Sequence, residues 1–314
     1  MSTTDFESVP NTRSVPRLRL GSCPDSWGVW FADDPLQTPW HRFLDELTEV
    51  GYRWLELGPY GYLPTDPGQL TEELEKRGLK VSGQAVGAPL QHAGQWTSIL
   101  EEARRVAELV TAVGGRFMVV LPGAYRDEKT AEFGEPRELD ADAWKTLVRQ
   151  NDELGRIIGE EYGLTVAFHP HADTHVETQE QVERFLHDTD SRYVSLCLDT
   201  GHFAYRHGDN VGLIGKYAER LGFVHIKGVD PEVLEVVDAE DLSFGEAVKR
   251  GVMAEPPNAE PKIEPIAAAL RGLDTDEVFV IVEQDLYPCD FDVPKPIAQR
   301  TYDYLRSVGI GGDE

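Results

Sequence analysis

Eight short apolar runs rich in β-branched and aromatic residues recur along the chain, at 18–23, 53–58, 80–86, 116–123, 164–171, 193–200, 223–229 and 278–285. Most are separated from the next by an amphipathic stretch: PWHRFLDELTEVG (39–51), LTEELEKRG (70–78), WTSILEEARRVAELVTAVGG (96–115), DAWKTLVRQNDELGRIIGEEYG (142–163), TQEQVERFLHDTD (178–190), VGLIGKYAERLG (211–222) and PIAAALRGL (265–273). In several of these, apolar residues return at three- and four-residue spacing and a Gly closes the segment, as a helix with a C-terminal cap does. Continuous apolar strands that alternate with helices belong to parallel sheets covered on their faces. Eight such units predict an α/β fold of the (β/α)8 TIM barrel type. A doubly wound open sheet is the runner-up, but it needs a Gly-rich phosphate turn after its first strand, and GSCPDSWG (21–28) is not GxGxxG.

The length of 314 residues suits one such barrel. The expected organisation is a polar arm over 1–16 followed by a single barrel domain over 17–314. The connection 230–277 reads as a loop with a short helix. The first residues lack the apolar segment of a secretory signal, and no apolar run approaches the ~20 residues of a membrane helix. A net charge of −26 argues against nucleic acid and anionic membranes as partners. Three cysteines, 23, 197 and 289, lie far apart without a CxxC, which points to a reducing cytoplasm rather than a disulfide framework or thiolate zinc site.

In such a barrel the active site forms where the strands end, and the polar residues of this chain gather there. Strand two ends near Glu56, strand five at His169-Pro170-His171, strand six at Asp199 with His202 after it, strand seven at His225 and Lys227, and strand eight at Glu283-Gln284-Asp285. Seven of the nine histidines fall between 169 and 225. One buried His or Glu is ordinarily a hydrogen-bonded structural group. Several that converge would cost several kcal/mol each if unpaired, and a divalent cation removes that cost. Mixed nitrogen and oxygen donors without thiolate suit Mn2+, Co2+, Fe2+ or Zn2+ better than Mg2+ or Ca2+.

At these residues the chain resembles the xylose-isomerase-like barrels, a superfamily of sugar isomerases, epimerases and dehydratases. Within it the chain is most similar to the inosose dehydratases, through HIKGVDPEVLEVVDAEDLSFGEAVKRGV (225–252), VEQDLYPCD (282–290) and the HPH run of strand five. Two stretches depart from that pattern, GSCPDSWGVW (21–30) and AEPPNAEPK (254–262). The resemblance implies one divalent metal, with Mn2+ or Co2+ preferred, held by His169, Asp199, His225 and Glu283. His169 stands where many members carry Glu, and His171 is its near alternative. It also implies a dehydratase of 2-keto-myo-inositol, with isomerisation or epimerisation of a ketose on the same metal as the alternative. Such chemistry needs a base for the proton α to the ketone and an acid for the departing hydroxyl. His171 and Lys227 are the candidates, with Glu56 beside them, and a neighbouring cation would lower the Lys227 pKa. His202, Gln284, Asp285 and Trp27, with Trp30, are expected to contact a small polyol substrate. Their bland roles are capping, packing and salt bridging. A homo-oligomer is expected by analogy alone.

Overall fold

The computed structural model describes residues 15–127, 129–256 and 258–311. The expected arm over 1–16 lies outside them but for Val15 and Pro16. Eight parallel strands close into a barrel in chain order: β1 (Arg17–Ser22), β2 (Trp54–Glu56), β3 (Lys80–Ala88), β4 (Phe117–Pro122), β5 (Thr165–Phe168), β6 (Val194–Asp199), β7 (Leu221–Ile226) and β8 (Glu277–Val282). β1 and β8 close the ring in continuous register from Arg17 opposite Glu277 to Ser22 opposite Val282. The helices are α1 (Trp40–Val50), α2 (Pro67–Glu75), α3 (Trp96–Ala112), α4 (Ala141–Tyr162), α5 (Gln179–Asp188), α6 (Thr200–Tyr205), α7 (Asn210–Lys216), α8 (Pro231–Glu240), α9 (Phe244–Lys249), α10 (Ile263–Arg271) and α11 (Pro294–Ser307).

Successive side chains on a strand point to opposite faces, and here that alternation builds two cores. One face of the strands, including Leu196, Leu198, Val224, Val280 and Val282, packs with the helices in a large shell. The other face fills the barrel with Cys23, Val119, Ala167, Cys197, Phe223, Phe279 and Ile281. The rings of Phe117, Phe223 and Phe279 meet there with centroids 5.2–5.8 Å apart. Two residues beyond Ala167, Cys197, Phe223 and Ile281, the same inward direction presents His169, Asp199, His225 and Glu283. The apolar layer is thus the floor on which the polar layer stands.

The connection after β7 is more ordered than a loop with a short helix. It forms α8 and α9, and Val229 makes antiparallel bridges to Met253 and Glu260. Asp230 accepts from the amides of Glu232 and Val233, and Pro231 opens α8, so the helix start is written in the Asp-Pro pair. Together α8 and α9 enclose a small core of their own, with Ala172, Tyr205, Val229, Leu234 and Phe244. The stretch 211–222 yields only α7 and a 3-10 turn at Ala218–Arg220. Gly212 and Gly215 weaken it as a helix.

Candidate active site

The carboxylate at the end of β6 has two separate tasks. Asp199 is the N-cap of α6, and its Oδ1 accepts from the amides of Gly201 and His202, each at 2.8 Å. Its Oδ2 is left facing the barrel axis, buried and without a hydrogen bond. Gly201 is required by the approach of β7: a Cβ there would sit 2.6 Å from Cβ and Cγ of Lys227. The DTGH sequence is therefore a cap, a close crossing and a buried oxygen without a hydrogen bond in four residues.

The donors His169, Asp199, His225 and Glu283 each offer an atom within 4.8 Å of the others. His169 Nε2 is 3.4 Å from Asp199 Oδ2 and 4.0 Å from Glu283 Oε2. His225 Nδ1 is 3.1 Å from Glu283 Oε2 and 3.9 Å from Asp199 Oδ2, yet it too is buried with no hydrogen bond. Its other nitrogen, Nε2, lies 2.8 Å from Glu56 Oε2. A carboxylate behind an imidazole fixes the ring and sends the opposite lone pair forward, as in the outer support of metal sites. The orphaned, inward-facing atoms of Asp199 and His225 and the mixed nitrogen–oxygen set fit a divalent cation. A second grouping, His169, Cys197 and His225, shares two of these residues. Burial pushes the Cys197 thiol up to about 12, so the ready anions are Asp199 and Glu283.

Both carboxylates are held charged. Burial alone would raise Asp199, but Lys227 and then His169 bring it below its ordinary value. Burial is likewise outweighed at Glu283 by His225 and Lys227, which hold it well below the usual range. Lys227 Nζ is 2.7 Å from Asp285, 3.1 Å from Glu283 and 3.5 Å from Asp199. Burial would lower it, but Asp199, Asp285 and Glu283 raise it well above the ordinary ammonium value. These carboxylates favour the charged form of Lys227, opposite in sign to the lowering that a neighbouring cation would bring.

Above the donors opens a cavity of about 440 Å³, walled by residues including Asp25, Trp30, Glu56, Tyr60, His171, Phe244, Glu283 and Asp285. His171 is outside the four-donor group, its ring centroid 5.6 Å from that of His169. Burial, then the charges of His169 and Lys227, lower it to about 3. Its Nδ1 is 2.8 Å from the carbonyl of Ala172. A neutral ring that donates there keeps an unprotonated Nε2.

Not every expected contact reaches the cavity. His202 lies behind His171, ring centroids 3.7 Å apart, between the Ala172 amide at 3.3 Å and Lys227 Nζ at 3.2 Å. Gln284 donates to the carbonyl of Met253 and so ties β8 to the connection after β7. The expectation that Trp27 stacks on substrate fails on its placement: the ring is fully buried against Phe43, and its Nε1 donates to Glu46 of α1. Trp30 is the tryptophan that lines the cavity. Sequence reasoning missed Asp25 and Phe244. Asp25 follows the end of β1 and could have been found by the strand-end rule that found the others. Phe244 comes from the connection read as a loop with a short helix, and opens α9.

The family model of the xylose isomerase-like TIM barrel matches residues 44–307. The chain belongs to that family. The inosose dehydratase of Geobacillus kaustophilus (strain HTA426) is 31% identical over 293 residues, covering 87% of this chain and 90% of the relative. That of Bacillus velezensis is 29% identical, covering 73% and 79%. Among solved structures, the IOLI protein with a binding zinc atom superposes with a TM-score of 0.69 at 18% identity, covering 95% of this chain and all of that one. The family's barrel is thus the one formed here, and the donor set stands at its strand ends.

Proposed function

We propose that the protein is a metal-dependent hydro-lyase that dehydrates 2-keto-myo-inositol (inosose) or a closely related keto-polyol. The observation that carries this reading is the buried set His169, Asp199, His225 and Glu283 beneath a cavity of polyol size, in a chain 31% identical to an inosose dehydratase across most of both lengths. The four residues hold the cation, with Mn2+ or Co2+ the preferred ions. When bound, the cation supplies Lewis acidity to the ketone oxygen.

The chain's own groups supply the proton transfers. His171, neutral and on the cavity wall, takes the proton α to the ketone at Nε2. The electron pair released forms the carbon–carbon double bond as the β-hydroxyl leaves, and a proton delivered to that oxygen makes it water. Lys227 carries the proton for this step, and Asp285, 2.7 Å from its Nζ, is the contact between it and the cavity. Glu56 acts through His225, fixing the ring, rather than on substrate. Trp30, Tyr60 and Phe244 offer apolar surface to the carbon face of the ring. The free cysteines agree with a cytoplasmic setting.

The test is ultraviolet absorbance of the conjugated product when chelator-stripped protein is given 2-keto-myo-inositol with and without Mn2+ or Co2+. A metal-dependent rise that disappears in Asp199→Ala supports dehydration. Turnover without new absorbance turns the reading to isomerisation or epimerisation, which shares the first proton abstraction but keeps the hydroxyl. No turnover with any metal removes this substrate.

A further inference from the structure

The wall between β1 and β8 carries a carboxylate that neither the metal set nor the proton transfers use. Asp25 sits in the 3-10 turn Pro24–Trp27 directly after β1 and lines the cavity. Its Oδ1 is closed off from water and accepts no hydrogen bond. Among the described residues no Lys, Arg or His forms an ion pair with it: Lys227, the cation of this region, is shared among Asp199, Glu283 and Asp285. The Asp25 side chain instead meets that of Asp285, and burial together with the Asp285 charge pushes the Asp25 carboxyl well above its ordinary value, toward the neutral form. An unsatisfied buried acceptor costs about 1–3 kcal/mol, and a second carboxyl beside it adds to that. A ligand that brings a hydrogen-bond donor removes the cost.

The rest of the lining shows which donor fits. The ionisable groups on the wall besides Asp25 are Cys23, Glu56, Tyr60, Glu102, His171, Glu283 and Asp285, with no lysine or arginine among them. Glu56 is engaged by His225, Glu283 by the donor set and Asp285 by Lys227. Asp25 is left with a free acceptor and no counter-charge. A phosphate or carboxylate brought to the Asp25 side of this wall would meet two carboxyls and no lysine or arginine, whereas a hydroxyl brings the missing hydrogen.

We propose that Asp25 is the specificity residue of the cavity, its carboxyl accepting a hydrogen bond from one ring hydroxyl of an uncharged polyol while the Asp25–Asp285 wall turns away anionic sugars. This rests on the keto-polyol reading.

The experiment uses the metal-loaded full chain and its Asp25→Ala and Asp25→Asn variants. KM and kcat are measured for 2-keto-myo-inositol and for its monodeoxy analogues. Calorimetric binding of myo-inositol and of myo-inositol 1-phosphate is measured alongside. Asp25→Ala is expected to raise KM about 2- to 10-fold, the worth of one hydrogen bond between uncharged partners, with a much smaller change in kcat. One deoxy analogue should show the same loss on the native protein and no further loss on Asp25→Ala. Asp25→Asn, which keeps an acceptor oxygen and nearly the same shape, should recover part of the polyol affinity and bind the inositol phosphate more tightly than the native protein does. An unchanged deoxy profile in Asp25→Ala, with native turnover intact, overturns this proposal alone. So does loss of bound metal from Asp25→Ala, which would make the residue part of the metal site. If Asp25→Ala does not fold, the Asn variant decides: unchanged preference between the polyol and its phosphate overturns the proposal. Native protein that neither turns over the keto-inositol nor binds myo-inositol overturns the keto-polyol reading, and this proposal with it.

Discussion

Asp199 divides its two oxygens between folding and chemistry, and substitutions can separate the two. Asn keeps an oxygen able to accept the Gly201 and His202 amides but removes the charge that faces His169 and His225. Asp199→Asn should therefore melt close to the native protein when both are metal-free, and bind metal far more weakly. Asp199→Ala should lose metal as well and pay a further ~1 kcal/mol for the empty cap. Metal stoichiometry by elemental analysis and thermal melts with chelator check both. Glu56 gives a second residue-scale prediction. Glu56→Gln keeps the shape behind His225 but weakens the hold on its Nε2, and should cost about 10- to 100-fold in metal affinity or activity. A general-acid role for Glu56 would instead leave metal affinity unmoved and lower kcat alone. Inward positions of this kind are legible in sequence because strand alternation fixes them: Asp199, His225 and Glu283 each follow an apolar residue that packs outward. Trp27 is not legible that way, since the turn after β1 sets its direction, and that turn aims it at Phe43.

Between elements, one buried carboxylate holds the cavity's aromatic wall in place. Asp173 Oδ2 accepts from the Phe244 amide at 2.7 Å, at the start of α9, and its Oδ1 accepts from Arg206 Nη2 at 3.0 Å, at the end of α6. Arg206 also donates to Glu177 at 2.7 Å, and Tyr125 donates to Glu177 at 2.8 Å. Phe244 in turn packs against His171 and His202, ring centroids 5.1 and 4.8 Å away. Asp173→Ala leaves an amide and part of a guanidinium unanswered in the interior, and should cost about 2–3 kcal/mol, less than a lone buried pair because Glu177 keeps hold of Arg206. With α9 released, KM should rise while metal content stays native. Urea unfolding, metal analysis and steady-state kinetics distinguish this from a loss of the donor set. None of this network is readable along the chain, because its members come from separate connections after β4, β5, β6 and β7. The helices tell the same story. α4 and α5 announce themselves by period and by the caps Asp140 and Thr178. α11 does not, because its buried residues are Pro294, Ala298, Thr301 and Leu305, with one large hydrophobe among them.

At the scale of the molecule, the donor set joins the ends of four neighbouring strands, β5 to β8, and reaches β2 through Glu56. These candidate donors are 114 residues apart between His169 and Glu283, so the unfolded chain offers no comparable site. A cation that binds only the closed barrel must then stabilise it by mass action, about 4 kcal/mol when free metal stands a thousandfold above its dissociation constant. For a chain of this size each kcal/mol moves the melting temperature by roughly 1.5 °C. Chelation should therefore lower the melting temperature of the native protein by about 6 °C, and saturating Mn2+ or Co2+ should restore it. The shift should vanish in Asp199→Ala, whose melting temperature becomes indifferent to chelator and metal. It should persist in Asp25→Ala and Asp173→Ala, which leave the four donors intact. A melting temperature of the native protein that ignores both chelator and added metal would mean that these buried carboxylates and imidazoles are satisfied by protons and by Lys227 alone. The metal would then have no part in holding the strand ends together.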